Sequence, residues 1–309
     1  MENGHSGLAL LFSGQGSQFV GMGKDFLGAV ADDGRGVFAA AEELLGYDLR
    51  SICLGGPIEK LTEPEICQPA LYVVGYAAFC ALRDGGLLGD LRAFAGFSLG
   101  EWTALAASGA LTFCDGLRAV MLRAKCMEEA GALNPGSMAA AVGADLGRVE
   151  EFCSACSLFV ANVNASDQVV VSGERHRVRE AIGRAAEFGI RRIIPLRVAG
   201  AYHSPLMEPA RRRFSTHLAS LTIGNPSLPI LSNVSGAALC DGEEIRRLLL
   251  EQITSPVRWD CCMRTAHDLG ANRFVECGAG RVLLSLAKKN LPHCCACSAE
   301  EAVDASGEP

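Results

Sequence analysis

The chain has few aromatic residues, no excess of basic residues and no long apolar run. Aromatics make up 6% of the 309 residues although 49% are hydrophobic, so we expect a sizeable core of Ala, Val, Leu and Ile. The 28 basic and 35 acidic residues give a net charge of -7, which argues against a general binder of nucleic acid or anionic membranes. No apolar run reaches the roughly 18 to 20 residues of a membrane span, and residues 1–7 are polar rather than signal-like. We therefore expect a protein in solution without a membrane or nucleic-acid partner.

The 14 cysteines are too sparse in a chain of this length for a disulfide scaffold. Many lie in apolar helical runs, and we interpret them as small buried hydrophobic residues in a reducing compartment. Two clusters are candidate metal sites: Cys153 with Cys156, and Cys294 with Cys295 and Cys297. Neither has paired CxxC motifs at zinc-finger spacing, so metal binding is disfavoured and we predict no metal site.

Short apolar runs alternate with helical patterns along most of the chain. The spacing predicts strands at 8–12, 93–97, 229–233 and 273–276 and helices at 37–45, 68–82, 101–107, 112–130, 205–218 and 281–289. Such alternation favours a mostly parallel sheet covered on both faces. We predict an α/β, hydrolase-like core formed by residues 7–133 and 199–292.

A different order of strands and helices interrupts this core at 134–198. The order there is strand 138–142, helix 146–153, strands 158–162 and 168–172, helix 174–188 and strand 191–196. This β-α-β-β-α-β order is the ferredoxin-like pattern, so we predict an inserted ferredoxin-like α+β subdomain. The last stretch, 298–309, is predicted to be a flexible tail.

Ser98 is the candidate nucleophile. Gly96-Phe97-Ser98-Leu99-Gly100 matches G-x-S-x-G and lies between a predicted strand and a predicted helix. In that context the glycines allow a sharp turn that exposes the hydroxyl, and the helix N-terminus supplies N–H groups and positive potential. The alternative is an ordinary glycine-flanked turn.

A serine hydroxyl needs a general base, and His203 is the best placed of the six histidines. It lies where the inserted subdomain rejoins the core, just before the helix start Ser204-Pro205. Clefts form between subdomains, so this histidine can face a substrate. The alternative is a structural histidine at a helix N-terminus.

The glycine-bearing loop 14–18 follows the first predicted strand. Its clustered backbone N–H groups can bind a phosphate or complete an oxyanion hole. The loop lacks the Gly-Lys-Ser/Thr ending of a P-loop, which disfavours nucleotide binding. A plain tight turn explains the loop chemistry equally well.

Five segments together resemble the malonyl-CoA:acyl-carrier-protein transacylase family of the stand-alone bacterial or plastid type. They are residues 14–18, 96–101, 122–125, 201–207 and Gln252 with 256–259, and the resemblance runs in order from about residue 8 to about 291. It implies a dyad in which Ser98 is the nucleophile and His203 the base, with main-chain carbonyl groups rather than a carboxylate orienting the histidine.

The resemblance also implies roles for residues around this dyad. It places the oxyanion hole at the backbone N–H groups of Gln15 and Leu99, substrate binding at Arg123, Gln252 and Asn162, and histidine-orienting groups at Asn233 and Gln252. The planar guanidinium of Arg123 suits two-point contact with the free carboxylate of malonyl. The alternative is an ordinary solvated arginine without a function, for which Arg118 on the same predicted helix is the example.

Four residues depart from the pattern common in the family. Phe97 stands where many bacterial members have histidine, Ser13 where proline is common, Tyr202 for phenylalanine and Trp102 for tyrosine. None of these departures removes a catalytic group. Phe97 puts the polarity of the pocket beside the nucleophile in doubt.

The implied activity is ping-pong transfer of malonyl from malonyl-CoA, through a Ser98 ester, to acyl carrier protein for fatty acid synthesis, with coenzyme A released and no tightly bound cofactor. We expect a monomer in the cytoplasm, or in the plastid stroma if a transit peptide has been removed upstream. The acidic carrier would dock on basic residues, for which we favour Lys288 and Lys289 over Arg191 with Arg192 and over the arginines at 211–213.

Two other functions remain as alternatives. An esterase shares G-x-S-x-G, but esterases usually place the histidine late in the chain and have no role for Arg123. A carrier-binding protein without activity would not be expected to keep Ser98, His203, Gln15, Arg123 and Gln252 together. The sequence does not distinguish malonyl from methylmalonyl as the acyl group that is transferred. It also does not distinguish fatty acid synthesis from polyketide synthesis as the pathway.

Overall fold

The computed structural model describes residues 7–306 and contains two β-sheets flanked by helices. The strands are β1 Gly7–Phe12, β2 Leu91–Gly96, β3 Gly136–Val142, β4 Phe159–Ala165, β5 Gln168–Glu174, β6 Arg192–Pro195, β7 Ile230–Leu231, β8 Ala238–Leu239, β9 Ala271–Cys277 and β10 Cys295–Ser298. The α-helices are α1 Val37–Leu45, α2 Leu49–Gly55, α3 Ile58–Thr62, α4 Pro64–Asp84, α5 Gly100–Ala107, α6 Phe113–Leu133, α7 Leu146–Cys156, α8 Arg175–Ile182, α9 Glu208–Ser220, α10 Gly242–Gln252, α11 Trp259–Asp268, α12 Val282–Asn290 and α13 Ala299–Ser306. Short 3-10 turns lie at Lys24–Phe26, Ala185–Phe188 and Pro205–Met207.

The larger sheet has the order β10-β9-β1-β2-β7-β8 and is parallel except for the β7–β8 pair. Strand β1 lies at its centre and is buried along its whole length, which explains its continuous apolar run. Its side chains alternate between two cores: Leu10 and Phe12 join the core with α4 to α6, whereas Leu11 joins the core with α11 and α12. The predicted α/β fold with a mostly parallel sheet is confirmed.

The smaller sheet is antiparallel, with the order β4-β5-β3-β6, and forms the predicted ferredoxin-like α+β unit. Its own core contains Phe152 of α7 and Val178 of α8. The long helix predicted over 174–188 is wrong, because α8 ends at Ile182 and a separate 3-10 turn follows. The break falls at Gly183, where helix continuation is costly because glycine loses most backbone entropy.

The flexible tail predicted at 298–309 is also wrong for the residues that the structure describes. Ser298 ends β10, which pairs with β9 at the edge of the larger sheet beyond the predicted end of the core. Helix α13 follows, with Ala299 buried and Glu301 paired to Arg281 at 2.6 Å. The Cys-rich edge strand has no long apolar run to reveal it in the sequence. Residues 307–309 lie outside the described range.

Helix α4 is long and apolar enough to cross a membrane by length and composition alone. However, 83% of its most apolar window is buried inside the protein, as in the core helix of a globular domain. The two sheets meet near α11, where Val163 N–H donates to the Val257 carbonyl at 2.8 Å and Val257 N–H donates to Ala161 at 2.9 Å. A cavity lies beside this junction.

Candidate active site

Ser98 lies in the sharp turn between β2 and α5, at the carboxyl end of a central parallel strand. Its φ is 52°, in the left-handed region that a non-glycine residue adopts only when the surrounding structure imposes it. Close packing requires Gly100, because a Cβ there would lie 2.1 Å from the Phe12 carbonyl oxygen. The turn therefore has the geometry of a nucleophile elbow.

His203 lies within reach of this serine. Its Nε2 is 2.8 Å from Ser98 Oγ, and its Nδ1 is 2.9 Å from the main-chain carbonyl oxygen of Gln252, the last residue of α10. A carbonyl can only accept, so Nδ1 carries the proton and Nε2 is free to accept one from Ser98. The partner of the histidine is thus a main-chain carbonyl rather than a carboxylate.

The electrostatic environment keeps this imidazole neutral. Burial, assisted by the positive charge of Arg123, lowers the pKa of His203 to about 4. Desolvation disfavours the charged form, so at neutral pH the ring is ready to accept a proton rather than already protonated. This protonation state is the one that a general base requires.

Asn233 makes no hydrogen bond to the histidine, and its predicted histidine-orienting role is wrong. Its Oδ1 accepts from Ser98 N–H at 2.6 Å and its Nδ2 donates to the Gly96 carbonyl at 2.7 Å. The residue follows β7, which is the neighbour of β2 in the sheet. Its side chain therefore reaches the turn that follows β2 and contains Ser98. Asn233 thus holds the strained backbone of the nucleophile.

The guanidinium of Arg123 lies buried beside the dyad. Its Nη1 donates to Gln68 Oε1 at 2.8 Å, and its Nη2 is 3.0 Å from both Ser98 Oγ and Gln252 Oε1. Its Nε has no partner within residues 7–306. Burial lowers the pKa of Arg123 to about 10, so the group stays charged at neutral pH. A buried cation that contacts neutral oxygens can accept an anionic ligand.

For two residues of this network the sequence predicts no role. Gln68 binds Arg123, and Glu101 accepts hydrogen bonds from Asn233 N–H at 2.9 Å and from Gln252 Nε2. In the sequence, Gln68 is recognisable only as a polar residue within an apolar stretch, and the structure shows that this position of α4 is buried. Glu101 belonged to the matched motif, but the sequence does not show which groups a helix carboxylate meets.

The glycine-bearing loop after β1 packs directly on the nucleophile turn. A Cβ at Gly14 would lie 2.5 Å from the Phe97 carbonyl oxygen, so only glycine permits this approach. Gln15 and Leu99 both line the cavity with Ser98, and Leu99 immediately precedes α5. The described residues contain no hydrogen-bond acceptor for either backbone N–H. The arrangement suits an oxyanion hole whose second donor lies at a helix N-terminus.

The cavity has a volume of about 630 Å³ and lies between the two sheets. The larger domain contributes Gln15, Ser98, Arg123 and His203 among others, and the smaller one contributes residues such as Asn162 of β4 and Val170 of β5. Lys288 and Lys289 lie outside the cavity lining at the end of α12, both exposed. Lys289 Nζ is 2.7 Å from Asp167 of the smaller domain.

Within residues 7–306 no group of three or more His, Cys, Asp and Glu is placed to hold a metal ion. All 14 cysteines are free thiols. Cys153 is buried and Cys156 is partly exposed, whereas Cys294, Cys295 and Cys297 lie on or near the edge strand β10.

Comparison with known proteins agrees with this geometry. Residues 9–303 match the family described as "Acyl transferase domain". The chain is 37% identical to the malonyl CoA-acyl carrier protein transacylase of Bacillus subtilis, over 92% of this chain and 90% of that protein. It is 41% identical to the polyketide biosynthesis protein ThaF of Burkholderia thailandensis, over 92% of this chain but only 24% of that protein.

Solved structures give the same result. The acyl carrier protein S-malonyltransferase of Vibrio cholerae superposes with a TM-score of 0.87 at 32% identity, covering 94% of this chain and 96% of that one. A malonyl-transacylase solved in complex with its type II polyketide acyl carrier protein gives 0.91 at 31% identity, covering 97% and 99%. The chain belongs to the acyl transferase family and, within it, to the malonyl-CoA:acyl carrier protein transacylases.

Proposed function

We propose that the chain transfers the malonyl group of malonyl-CoA to the phosphopantetheine thiol of an acyl carrier protein, through a malonyl ester on Ser98. The observation that carries the proposal is the position of Ser98 Oγ, which lies 2.8 Å from a neutral histidine nitrogen and 3.0 Å from a buried guanidinium. The first group activates the hydroxyl and the second can hold a carboxylate beside it.

The proposed reaction has two matching halves. His203 takes the Ser98 proton while Oγ attacks the malonyl thioester, and the oxyanion is stabilised by the N–H groups of Gln15 and Leu99. The intermediate collapses, the thioester bond breaks, and His203 returns the proton to the departing thiolate of coenzyme A. The carrier thiol then attacks the ester with His203 again as base, and Ser98 regains its proton.

Arg123 supports a preference for acyl groups that carry a free carboxylate. Its Nε has no partner within the described range, and none of its hydrogen bonds there is to a carboxylate, so a malonyl carboxylate could bind the guanidinium directly. Asn162 and Gln252 would complete the acyl site. We infer malonyl rather than methylmalonyl as the principal substrate.

The cycle requires no tightly bound cofactor, because the chain itself supplies the nucleophile, the base and the oxyanion donors. Coenzyme A enters as part of the substrate and leaves as a product. We infer a monomer that works in the cytoplasm, or in the plastid stroma if a transit peptide has been removed. We place the product in fatty acid synthesis, and the two polyketide-related proteins to which the chain is similar favour polyketide synthesis as the second candidate.

The carrier protein is proposed to dock on the basic end of α12. Lys288 is exposed, and no ion pair within residues 7–306 involves it, whereas Lys289 is bound to Asp167. Lys288→Glu should therefore raise the KM for the carrier several-fold and leave the KM for malonyl-CoA unchanged. An unchanged carrier KM would contradict the docking site. Lys289→Glu is the less specific variant, since it also breaks a contact between the two domains.

The decisive experiment is intact mass spectrometry after brief mixing with malonyl-CoA. Wild type should gain one malonyl group and transfer it to added carrier protein, whereas Ser98→Ala should gain none. Rapid loss of the adduct to water without carrier would indicate the esterase alternative. Absence of any adduct on wild type would indicate a binding protein and overturn the proposal.

A further inference from the structure

A buried carboxylate that the proposed reaction does not use lies behind the active site. Glu101, in the first turn of α5, is only 5% exposed. It touches neither reacting atom, but its two oxygens accept from Asn233 N–H and from Gln252 Nε2. The first partner holds the backbone of Ser98, and the second supplies the carbonyl that orients His203. Glu101 therefore contacts both supports of the dyad.

Gln252 is the residue through which this carboxylate reaches the substrate site. Its side-chain Oε1 accepts from Arg123 Nη2 at 3.0 Å, while its Nε2 donates to Glu101 and to the Ser98 carbonyl, the latter at 2.9 Å. The carboxamide is almost completely buried, with the residue 1% exposed. Its polar atoms therefore depend on these protein partners rather than on water.

The neighbours of this carboxamide determine which way it points. Arg123 can only donate hydrogen bonds, whereas an ionised Glu101 can only accept them. In the reverse orientation Nε2 would face the guanidinium and Oε1 would face two acceptors. Three favourable contacts would become three repulsive ones in a buried site, where unsatisfied polar groups are most costly.

We propose that Glu101 is a positioning residue that fixes the direction of the Gln252 carboxamide and thereby holds Arg123 ready for a carboxylate-bearing acyl group. The inference rests on the proposed function and assigns to Glu101 a part in acyl selectivity. Burial raises the pKa of Glu101 to about 7 against the lowering effect of its donors and of Arg123, so the variants are compared at about pH 8, where the acceptor-only carboxylate predominates.

The variant Glu101→Gln tests the direction of the effect. A glutamine offers one acceptor and one donor, so it satisfies Asn233 N–H only by turning its amide nitrogen towards Gln252. Gln252 would then reverse and present Nε2 to Arg123. Loss of the negative charge by itself would favour binding of an anionic acyl group, because it leaves Arg123 less neutralised. A fall in malonyl preference would therefore report lost positioning.

The experiment measures the initial rates of Ser98 loading from malonyl-CoA and from acetyl-CoA by intact mass spectrometry, with thermal unfolding as the folding control. We expect Glu101→Gln to lower the malonyl-to-acetyl rate ratio by about tenfold, as for one lost hydrogen bond to a charged group. Asp260→Asn is the control for exchange of a buried carboxylate by an amide. Asp260 is also buried, in α11, and pairs with Arg264 at 3.0 Å, but it does not line the cavity. Its variant should keep the wild-type ratio.

A second pair of variants serves if Glu101→Gln does not fold. Glu101→Asp and Glu101→Asn shorten the side chain by the same amount, but aspartate can only accept hydrogen bonds whereas asparagine both donates and accepts them. Their difference therefore measures the effect of the acceptor-only group. Aspartate should retain a higher malonyl-to-acetyl ratio than asparagine, and equal ratios would overturn the inference, as would an unchanged or higher ratio in Glu101→Gln. Wild type is loaded in parallel, so failure of the proposed function would appear separately as absence of its malonyl adduct.

Discussion

The two walls of the cavity differ in how their polar groups are held. In the wall of the larger domain, Ser98, His203 and Arg123 form one continuous hydrogen-bonded network with the buried Gln252. The wall of the smaller domain mixes apolar residues such as Val170 with the polar residues Asn162, Asn164, Gln168 and Arg197, and the Asn162 side chain makes no hydrogen bond within residues 7–306. We infer that the larger domain performs the chemistry and that the smaller domain shapes and covers the site.

The sheet topology explains this difference. Loops at the carboxyl ends of adjacent parallel strands converge, and β1, β2 and β7 deliver Gln15, Ser98 and Asn233 to one edge of the larger sheet. The smaller sheet is antiparallel and meets the larger domain near Val257. Its strands bring faces rather than loop ends to the cavity, and these faces carry apolar and polar side chains that do not hydrogen-bond to one another within the described residues.

Removal of the base should give the largest effect. We expect His203→Ala to lower the rate of Ser98 malonylation by about 10³-fold or more, because the hydroxyl loses the imidazole that accepts its proton. Stopped-time intact mass spectrometry measures this rate, with circular dichroism to confirm folding. A loss of less than tenfold would show that the network of the larger domain does not carry the chemistry.

Replacement of the arginine should have a smaller and more selective effect. We expect Arg123→Lys to lower malonyl loading roughly 10- to 100-fold while acetyl loading changes little, since a point charge cannot keep the contacts of the guanidinium. Arg118→Lys is the control on the same helix, because Arg118 is exposed and pairs with Asp115 at 3.0 Å. Equal losses for both donors would show that Arg123 supports the fold of the site rather than its selectivity.

The wall of the smaller domain should be more tolerant. We expect Asn162→Ala to reduce kcat/KM for malonyl-CoA only roughly two- to tenfold, the range of a single neutral hydrogen bond. Ser172→Ala is the control in the same sheet, because Ser172 is buried but does not line the cavity. A loss for Asn162→Ala as large as that for His203→Ala would mean that both walls take part in the chemical step.

The protonation state of the base should not change over the neutral range. Because burial lowers the pKa of His203 to about 4, its ¹⁵N signals should not titrate between pH 8 and about 5.5. The unfolded chain, near the ordinary value of 6.5, binds this proton more readily, so His203 contributes a loss of folding stability as pH falls from 6.5 towards 4. A titration midpoint near 6.5 would show that the network is open to solvent.

Much of the fold was predictable because its signals are local. The apolar run of β1, the glycines around Ser98 and the element order of the insert each depend on neighbouring residues. The break at Gly183 and helix α13 were missed because one glycine and a cysteine-rich edge strand carry weak local signals. Their structures depend on packing against elements distant in sequence.

The site was predictable in its reacting groups but not in its supports. Ser98 and His203 have sequence contexts that indicate their chemistry, and the resemblance added Arg123. Asn233 was assigned to the wrong partner, because its segment indicates proximity to the dyad but not which atom its amide reaches. Glu101 and Gln68 act through contacts across more than 50 positions of the chain, which no local pattern reveals.

The carbonyl that orients His203 belongs to the peptide backbone at the end of α10, where the last carbonyl groups of a helix lack intrahelical donors. Every amino acid at position 252 would still provide that oxygen. In a Ser-His-Asp triad, by contrast, a single exchanged carboxylate disables the base. The support of the base is therefore insensitive to the identity of the side chain, while Gln252 and Arg123 remain open to change. Such a scaffold can alter its acyl preference by point mutation without having to rebuild its proton transfer.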